Sequence, residues 1–463
     1  MRTIAANSSA IALPTLVKSI TSPMTRLEHY RTRLLLAALF LLPWQTRWMF
    51  GFEPLSSGIS EFGVLSLFAV EILIVASFIL PARTIGIVQS GGQPFIKHRP
   101  EFDLTVVLGW LMVLAVLASV VVAPNTNLAS MAWLHILVGY LLFLGLLNKH
   151  LKPQEALLAF ALGLILPSLL GMYQAVAGVS PSSTWLGLAA HDAMTPGASV
   201  IETFSLRFLR AYGSFQHPNI FGGYLAVGLF AVFLFPRWYR SRRARLGAYA
   251  MGALFASTLV LTYSRSAWLA FALSFAITGW MLFTHHRVEM RRVIPLGLII
   301  LVMIFFTVTL FSNPIFTRFD ATARLEAQSI EERFDGIEEW KRVVSGNVLE
   351  GVGAGNYTVA LEETFPGREA YAYQPVHNTY LLIFSEVGII GVLFILLWAA
   401  SIDRYNYAQI PRVPAVGALA MGNAVLIIGF LDHYIWSLWP GLALLAFVMA
   451  MTLRLSEPGV EKE

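Results

Sequence analysis

Three short polar stretches hold the residue types that could handle a phosphorylated substrate. They are Arg207-Phe-Leu-Arg210-Ala-Tyr-Gly-Ser-Phe-Gln-His217-Pro-Asn219, Tyr263-Ser-Arg265-Ser-Ala-Trp268 and Pro375-Val-His377-Asn378-Thr-Tyr380-Leu381. A guanidinium can grip a phosphate through two parallel hydrogen bonds. An imidazole can accept or donate a proton near neutral pH. Arg210, Arg265 and His377 are therefore the candidate catalytic residues. Arg207, Arg333, Asn378, Tyr380, Tyr263 and His217 are candidate substrate contacts. Each has a bland account beside it. Arg210 could snorkel to lipid headgroups. Arg265 could tie helices together through an ion pair with Asp432 or Glu202. Arg333 could sit on a solvated helix face, and a lone histidine is more often structural than catalytic.

The elements that must position these residues are membrane helices. The chain is 57% hydrophobic and 13% charged over 463 residues, against about a quarter charged in a soluble domain. A spanning helix needs roughly 20 apolar residues. Twelve runs qualify approximately: 34–50, 63–80, 104–122, 132–147, 156–177, 218–235, 246–262, 267–283, 293–311, 379–400, 415–431 and 434–453. The expected fold is an all-α polytopic membrane protein of about 12 transmembrane helices. A large extracytoplasmic loop with short helices falls between the ninth and tenth.

The divisions follow. Residues 1–33 form a cytoplasmic N-terminal segment with no cleavable signal pattern. Residues 34–312 carry helices 1–9, 313–378 the loop domain, 379–454 helices 10–12, and 455–463 a cytoplasmic tail. Alternating helices place most of the 32 lysines and arginines inside, including Arg83, Lys97, Arg99 and the run from Arg237 to Arg245. Both termini are then cytoplasmic. Among short outer turns only Arg47, Arg207, Arg210 and Arg265 break the rule, which marks them for a functional reason.

In the loop, Ser329-Ile-Glu-Glu332 reads as a capping box. Ile330, Phe334, Ile337, Trp340 and Val344 then recur at helical spacing, with the helix ending near Gly346-Asn347. Gly351-Val-Gly-Ala-Gly355 lacks the Lys-Ser/Thr of a nucleotide loop and reads first as a tight turn. Glu71 and Glu386 fall inside apolar runs, as sites or as partners of polar neighbours. The net charge of +5 comes from topology and does not imply nucleic acid. With no cysteine, disulfides, thiolate catalysis and cysteine-held metals are excluded. The spacing of His217, His377, Asp432 and His433 matches no recognised metal pattern, so neither a metal nor a cofactor is expected.

On these motifs the chain resembles the O-antigen ligase and O-antigen polymerase superfamily. The matching pieces are Arg210 through Asn219, Tyr263 through Trp268, Arg333 through Trp340, Gly351 through Gly355 and His377 through Leu381, within residues 206–397. The one departure is Gln216-His217-Pro218-Asn219, where Asn-Pro-Asn is expected. The resemblance implies a metal-independent, inverting membrane glycosyltransferase of the C-type fold. It would work at the outer face of the bacterial inner membrane. The donor would be a glycan on undecaprenyl diphosphate. The motifs do not separate the family's branches; the single long loop late in the chain, able to shield a large acceptor, favours a ligase with a lipid A core hydroxyl as acceptor. The resemblance maps diphosphate binding onto Arg210 and Arg265, and the catalytic histidine onto His377. A polysaccharide polymerase or a protein O-oligosaccharyltransferase would share this chemistry. A lipid-linked glycan transporter is the reading of another class. It would need charged residues along a path and two related halves, whereas only Glu71 and Glu386 lie at depth and no repeat is evident.

Overall fold

The computed structural model describes residues 26–55, 58–79, 100–204, 206–320, 322–407 and 412–457. The N-terminal segment up to residue 25, Arg83, Lys97, Arg99 and most of the tail lie outside them. Each of the twelve apolar runs overlaps a helix. They are α1 Arg26–Leu41, α2 Ala69–Ile79, α3 Pro100–Ser119, α4 Thr126–Leu146, the pair α5 Pro153–Gly163 and α6 Ile165–Ala177, and α7 Pro218–Phe233 with the short α8 Phe235–Trp238. There follow α9 Arg242–Leu261, α10 Arg265–His285 and α11 Arg287–Leu310. Three loop helices precede the last spans: α12 Ser312–Thr317, α13 Arg324–Val344 and α14 Tyr357–Thr364, with one short 3-10 turn at Ala370–Ala372 after them. Then come α15 Thr379–Tyr407, α16 Val413–Leu431, the four-residue α17 Tyr434–Ser437 and α18 Trp439–Leu455. Among the described residues eight spans are long and apolar enough to cross a membrane, and three shorter apolar helices accompany them. In hydrocarbon a backbone must satisfy its own polar groups, so the apolar runs become helices.

The span from Pro218 to Trp238 is 94% buried and that of α11 only 22%. The first is therefore the axis of the bundle, packed on α9, α10 and α16, while α11 lies at the edge. Helix ends gather the polar loops at one end of the bundle, where α7, α10, α15 and α18 begin and α9 and α16 finish.

The first two apolar runs are not helical throughout. α1 stops at Leu41, before Pro43, and Arg47–Phe52 forms strand β1, paired antiparallel with β2 at Val64–Phe68. Proline cannot continue the ladder of helical hydrogen bonds, so the chain leaves the helix there. Two further hairpins, β3 Val179–Ser180 with β4 His191–Asp192 and β5 Val200–Glu202 with β6 Arg207–Leu209, lie before α7.

The expected capping box is also displaced. α13 starts at Arg324 after Ala323, so Ser329 lies inside the helix, and Glu332 accepts from Gln328 at 2.8 Å. Its far end is as the spacing predicts: α13 runs out at Val344. Only that half of the apolar stripe docks. The Trp340 indole donates to the Leu381 carbonyl at 2.8 Å, while Phe334 is exposed.

α15 is broken at Gly388, whose φ of 61° is left-handed. The glycine turn of residues 351–355 fills the break. Val352 and Gly353 donate to the carbonyls of Ser385 and Glu386 at 2.8 and 2.9 Å, and Ile389 donates to Val348 at 3.0 Å. A Cβ on Gly388 would lie 2.2 Å from the Leu349 carbonyl oxygen, and one on Gly351 would lie 2.4 Å from the Glu386 backbone. Only glycine permits two backbones to cross this closely. The turn's N–H groups are thus spent on protein.

Candidate active site

The turn between α9 and α10 organises the arginines. Tyr263 is the only non-glycine residue with positive φ among the described residues, at 49°. Such a conformation costs energy and persists only where its surroundings hold it. Here two consecutive carbonyls each grip a guanidinium. Thr262 O accepts from Arg210 Nε at 2.8 Å, and Tyr263 O accepts from Arg318 Nε at 3.0 Å. Ser264 then caps α10 with its hydroxyl, and Arg265 is the first helical residue. The Tyr263 ring itself is buried against Trp268.

Arg318, which is buried, and Arg265, which is partly exposed, both meet Glu326 of α13. Arg318 pairs with it at 2.5 Å and Arg265 at 3.3 Å. Arg265 does not pair with Asp432 or Glu202, because Glu202 takes Arg324 at 2.5 Å and Asp432 takes Asn219. Nor does Arg210 snorkel: it is buried, with Nη2 on Asn219 Oδ1 at 2.6 Å. Burial pushes its pKa down to about 9, with Arg318 adding to the shift and Glu326 and Asp432 opposing it. It stays charged at neutral pH. Arg333, also on α13, faces Arg265, and its Nε is buried without a hydrogen-bond partner. Arg207 sits on β6 opposite Glu202. No interaction among the described residues joins it to the cluster.

Gln174 of α6 holds the Arg210 segment in place. Its amide accepts from the backbone of Tyr212 and Gly213 at 3.0 and 2.8 Å and donates to Gly213 O at 2.9 Å.

Asn219 links the arginines to a histidine group. Its Nδ2 donates to Asp432 Oδ2 at 2.7 Å, and the His433 backbone donates to Asp432 Oδ1 at 2.9 Å. The Asp432 carbonyl receives Thr379 N and Oγ1 at 3.0 and 2.8 Å. That seats the start of α15 on the end of α16. His377 and His433 meet edge to face with ring centroids 5.3 Å apart. His217 caps α7, its Nδ1 accepting from Asn219 N at 3.1 Å. Burial lowers the pKa of all three imidazoles: His217 to about 3, His433 to about 4, and His377 below its ordinary value, where Asp432 resists the shift and Arg333 adds to it. Burial alone would raise Asp432. The imidazoles and the Asn219 amide facing its charge leave it below the ordinary carboxylate value. The group is therefore neutral imidazoles around one carboxylate.

Within it the His377 ring alone makes no hydrogen bond among the described residues. Its neighbours are committed. Asn378 caps α15, accepting from Tyr380 N and Leu381 N at 2.9 and 3.0 Å, and donates to Phe430 O at 3.2 Å. Tyr380 donates its hydroxyl to Leu426 O at 2.8 Å. Both fix the entry of α15, which aims the preceding histidine.

The structure thus brings Arg210, Arg265, Arg333, His217 and His377 into one run of interacting groups. Sequence reasoning missed Arg318 and Glu326, which lie in the long loop where topology gives charges little meaning. It named His433 only as an unpatterned metal possibility, and Asp432 as that or as an ion-pair partner of Arg265. Their link to Asn219 spans over two hundred residues and leaves no local signal.

A family model described as O-Antigen ligase matches residues 250–396. The matched stretch holds Arg265, Arg318, Arg333 and His377, while Arg210 precedes it and Asp432 follows it. No curated protein matches the chain. The family match supports the O-antigen ligase superfamily, and with it a multi-pass membrane protein of ligase- or polymerase-like function acting on a lipid-linked glycan.

Proposed function

We propose that this protein is an O-antigen ligase-like glycosyltransferase. It moves a glycan from undecaprenyl diphosphate to a hydroxyl of the lipid A core at the outer face of the inner membrane, with both termini in the cytoplasm. One observation carries the reading: the guanidiniums of Arg210, Arg265, Arg318 and Arg333 gather around fewer carboxylates, Glu326 and Asp432 with Glu332 beside His377. Positive charge is in excess there, beside a neutral histidine. An anion relieves that excess.

The roles divide by what each arginine has left to give. Arg210 and Arg318 spend donors on backbone carbonyls and set the local field. Arg265 is half-open and Arg333 keeps an unused Nε, so these two make direct contact with the diphosphate. His377 Nδ1 or Nε2 takes the proton of the acceptor hydroxyl. The hydroxyl oxygen bonds to the anomeric carbon as the bond to the diphosphate breaks, and the electron pair leaves with the diphosphate. One displacement inverts the anomeric centre. Guanidiniums held before the reaction need no reorganisation as charge builds, and each such donor is worth about 3–4 kcal/mol of barrier. They occupy the place a divalent cation would otherwise fill.

The test is purified protein with undecaprenyl diphosphate-linked oligosaccharide, with and without lipid A core. Glycan joined to the core supports the ligase. Chain lengthening without core would make it a polymerase, and movement across vesicles with no new glycosidic bond would make it a transporter.

A further inference from the structure

A cavity of about 90 Å³ lies next to the histidine group, between β2, α4, the start of α14 and the α17–α18 corner. None of Arg210, Arg265, Arg318, Arg333 and His377 lines it. At about 10–15 Å³ for each water-sized group, it holds roughly six to nine such groups. Its walls are mostly apolar and include the rings of Phe62, Phe68, Tyr357, Trp436 and Trp439.

Its charged groups are already paired. Arg47 holds Glu61 through two bonds of 2.8 and 3.2 Å. His135 meets Glu71 at 2.6 Å. Glu386 accepts from the Trp436 indole at 2.7 Å and from the backbone of Gly355 and Tyr357. No excess positive charge calls for an anion. What is unsatisfied is neutral: Tyr357 Oη, Thr358 Oγ1 and Gln216 Oε1 are buried polar atoms without a partner, on side chains that line the cavity. Tyr357 and Thr358 are 1% and 2% exposed. Buried polar atoms are seldom left alone. Apolar walls carrying a few hydrogen-bonding groups suit a compact ligand with apolar faces and polar edges. A sugar ring has that chemistry.

The cavity lies on a definite side. Interactions run from Arg265 and Arg318 through Arg210, Asn219 and Asp432 to His433. His433 then bonds Ser437 at 2.8 Å and packs on Phe62 at 5.7 Å, both lining residues. The histidines thus stand between the arginines and the cavity. We propose that this cavity receives the sugar ring of the acceptor glycan, hydrogen-bonded by Tyr357 and Thr358 and stacked on the Trp436–Trp439 corner. This rests on the ligase reading, which puts the donor diphosphate on the arginines.

The experiment uses full-length protein in nanodiscs, with the variants Tyr357→Phe and Thr358→Val. Each removes one hydroxyl and keeps the volume. Two probes are titrated separately: fluorescently labelled lipid A core and undecaprenyl diphosphate-linked oligosaccharide. Lipid A core should bind about threefold to tenfold more weakly to each variant, the effect of one lost hydrogen bond. Donor binding should be unchanged, and in turnover only the acceptor KM should rise. A cavity that serves the donor would weaken donor binding instead. Unchanged binding of both probes by variants that unfold at the wild-type temperature would overturn the proposal. Because binding is read without turnover, a wild type that binds core at this cavity but forms no glycosidic bond would refute the transferase alone.

Discussion

Arginine gathers at both ends of the helix bundle, and the two gatherings differ in what surrounds them. At the end where α9 and α11 begin, Arg240, Arg245, Arg291 and Arg292 are exposed around an open hollow. Glu289 answers Arg237 at 3.0 Å and Arg292 at 2.7 Å. At the other end Arg210 and Arg318 are buried, gripped by successive carbonyls of one strained turn, and share few carboxylates with Arg265 and Arg333. Water screens the first group, and a membrane's positive-inside preference accounts for it. The second group cannot be screened and has no role in topology. A charge count treats the two ends alike; burial separates them.

The largest expected effect follows directly. Arg265→Ala and His377→Ala should each lower transfer about a hundredfold to a thousandfold or more, with protein levels in the membrane unchanged. Glycan transfer onto core reads this in a cell or with purified components. Wild-type rates in both would make the two ends equivalent again.

Next is the clasp at the break in α15. Gly388→Ala places a Cβ against the Leu349 carbonyl on a left-handed backbone and should cost at least about 1–3 kcal/mol. A lowered unfolding temperature in detergent checks it.

A smaller effect concerns pH. Burial depresses the His377 pKa below 6.5, so the base is neutral and active above that value. kcat/KM should fall only at pH values below 6.5 as the ring gains its proton. Asp432 pulls this pKa upward, so Asp432→Asn should move the acid limb to still lower pH. A limb above 6.5, or one that moves upward in the variant, would contradict the arrangement.

The smallest effect is at the opposite end. Arg240→Ala or Arg291→Ala should change transfer less than about twofold, since exposed substitutions rarely exceed 0.5 kcal/mol. A hundredfold loss there would show that the hollow takes part in the reaction.

The helices were legible because an apolar run of sufficient length has one solution in lipid. What the runs hid was backbone detail. Pro43 ended α1 early and let residues 47–52 turn into a strand. Ser329 matched a capping pattern, but the helix already had begun at Arg324, where nothing but tertiary packing marks a start. The site was partly legible: Arg210, Arg265 and His377 stood out as charges or imidazoles at the edges of apolar runs. Their partners did not. Glu326 was one acid among many in the loop, and Asp432 required knowing that the end of α16 meets the start of α15. Asn378 and Tyr380 were read as substrate contacts, yet their polar atoms close the local backbone.

The broken helix has a consequence for traffic. Residues 348–353 are stitched by main-chain bonds into the gap at Gly388, so this segment cannot lift away without orphaning carbonyls of α15. It moves only together with α15, so an opening that admits a lipid-tethered donor would have to form elsewhere, between helices.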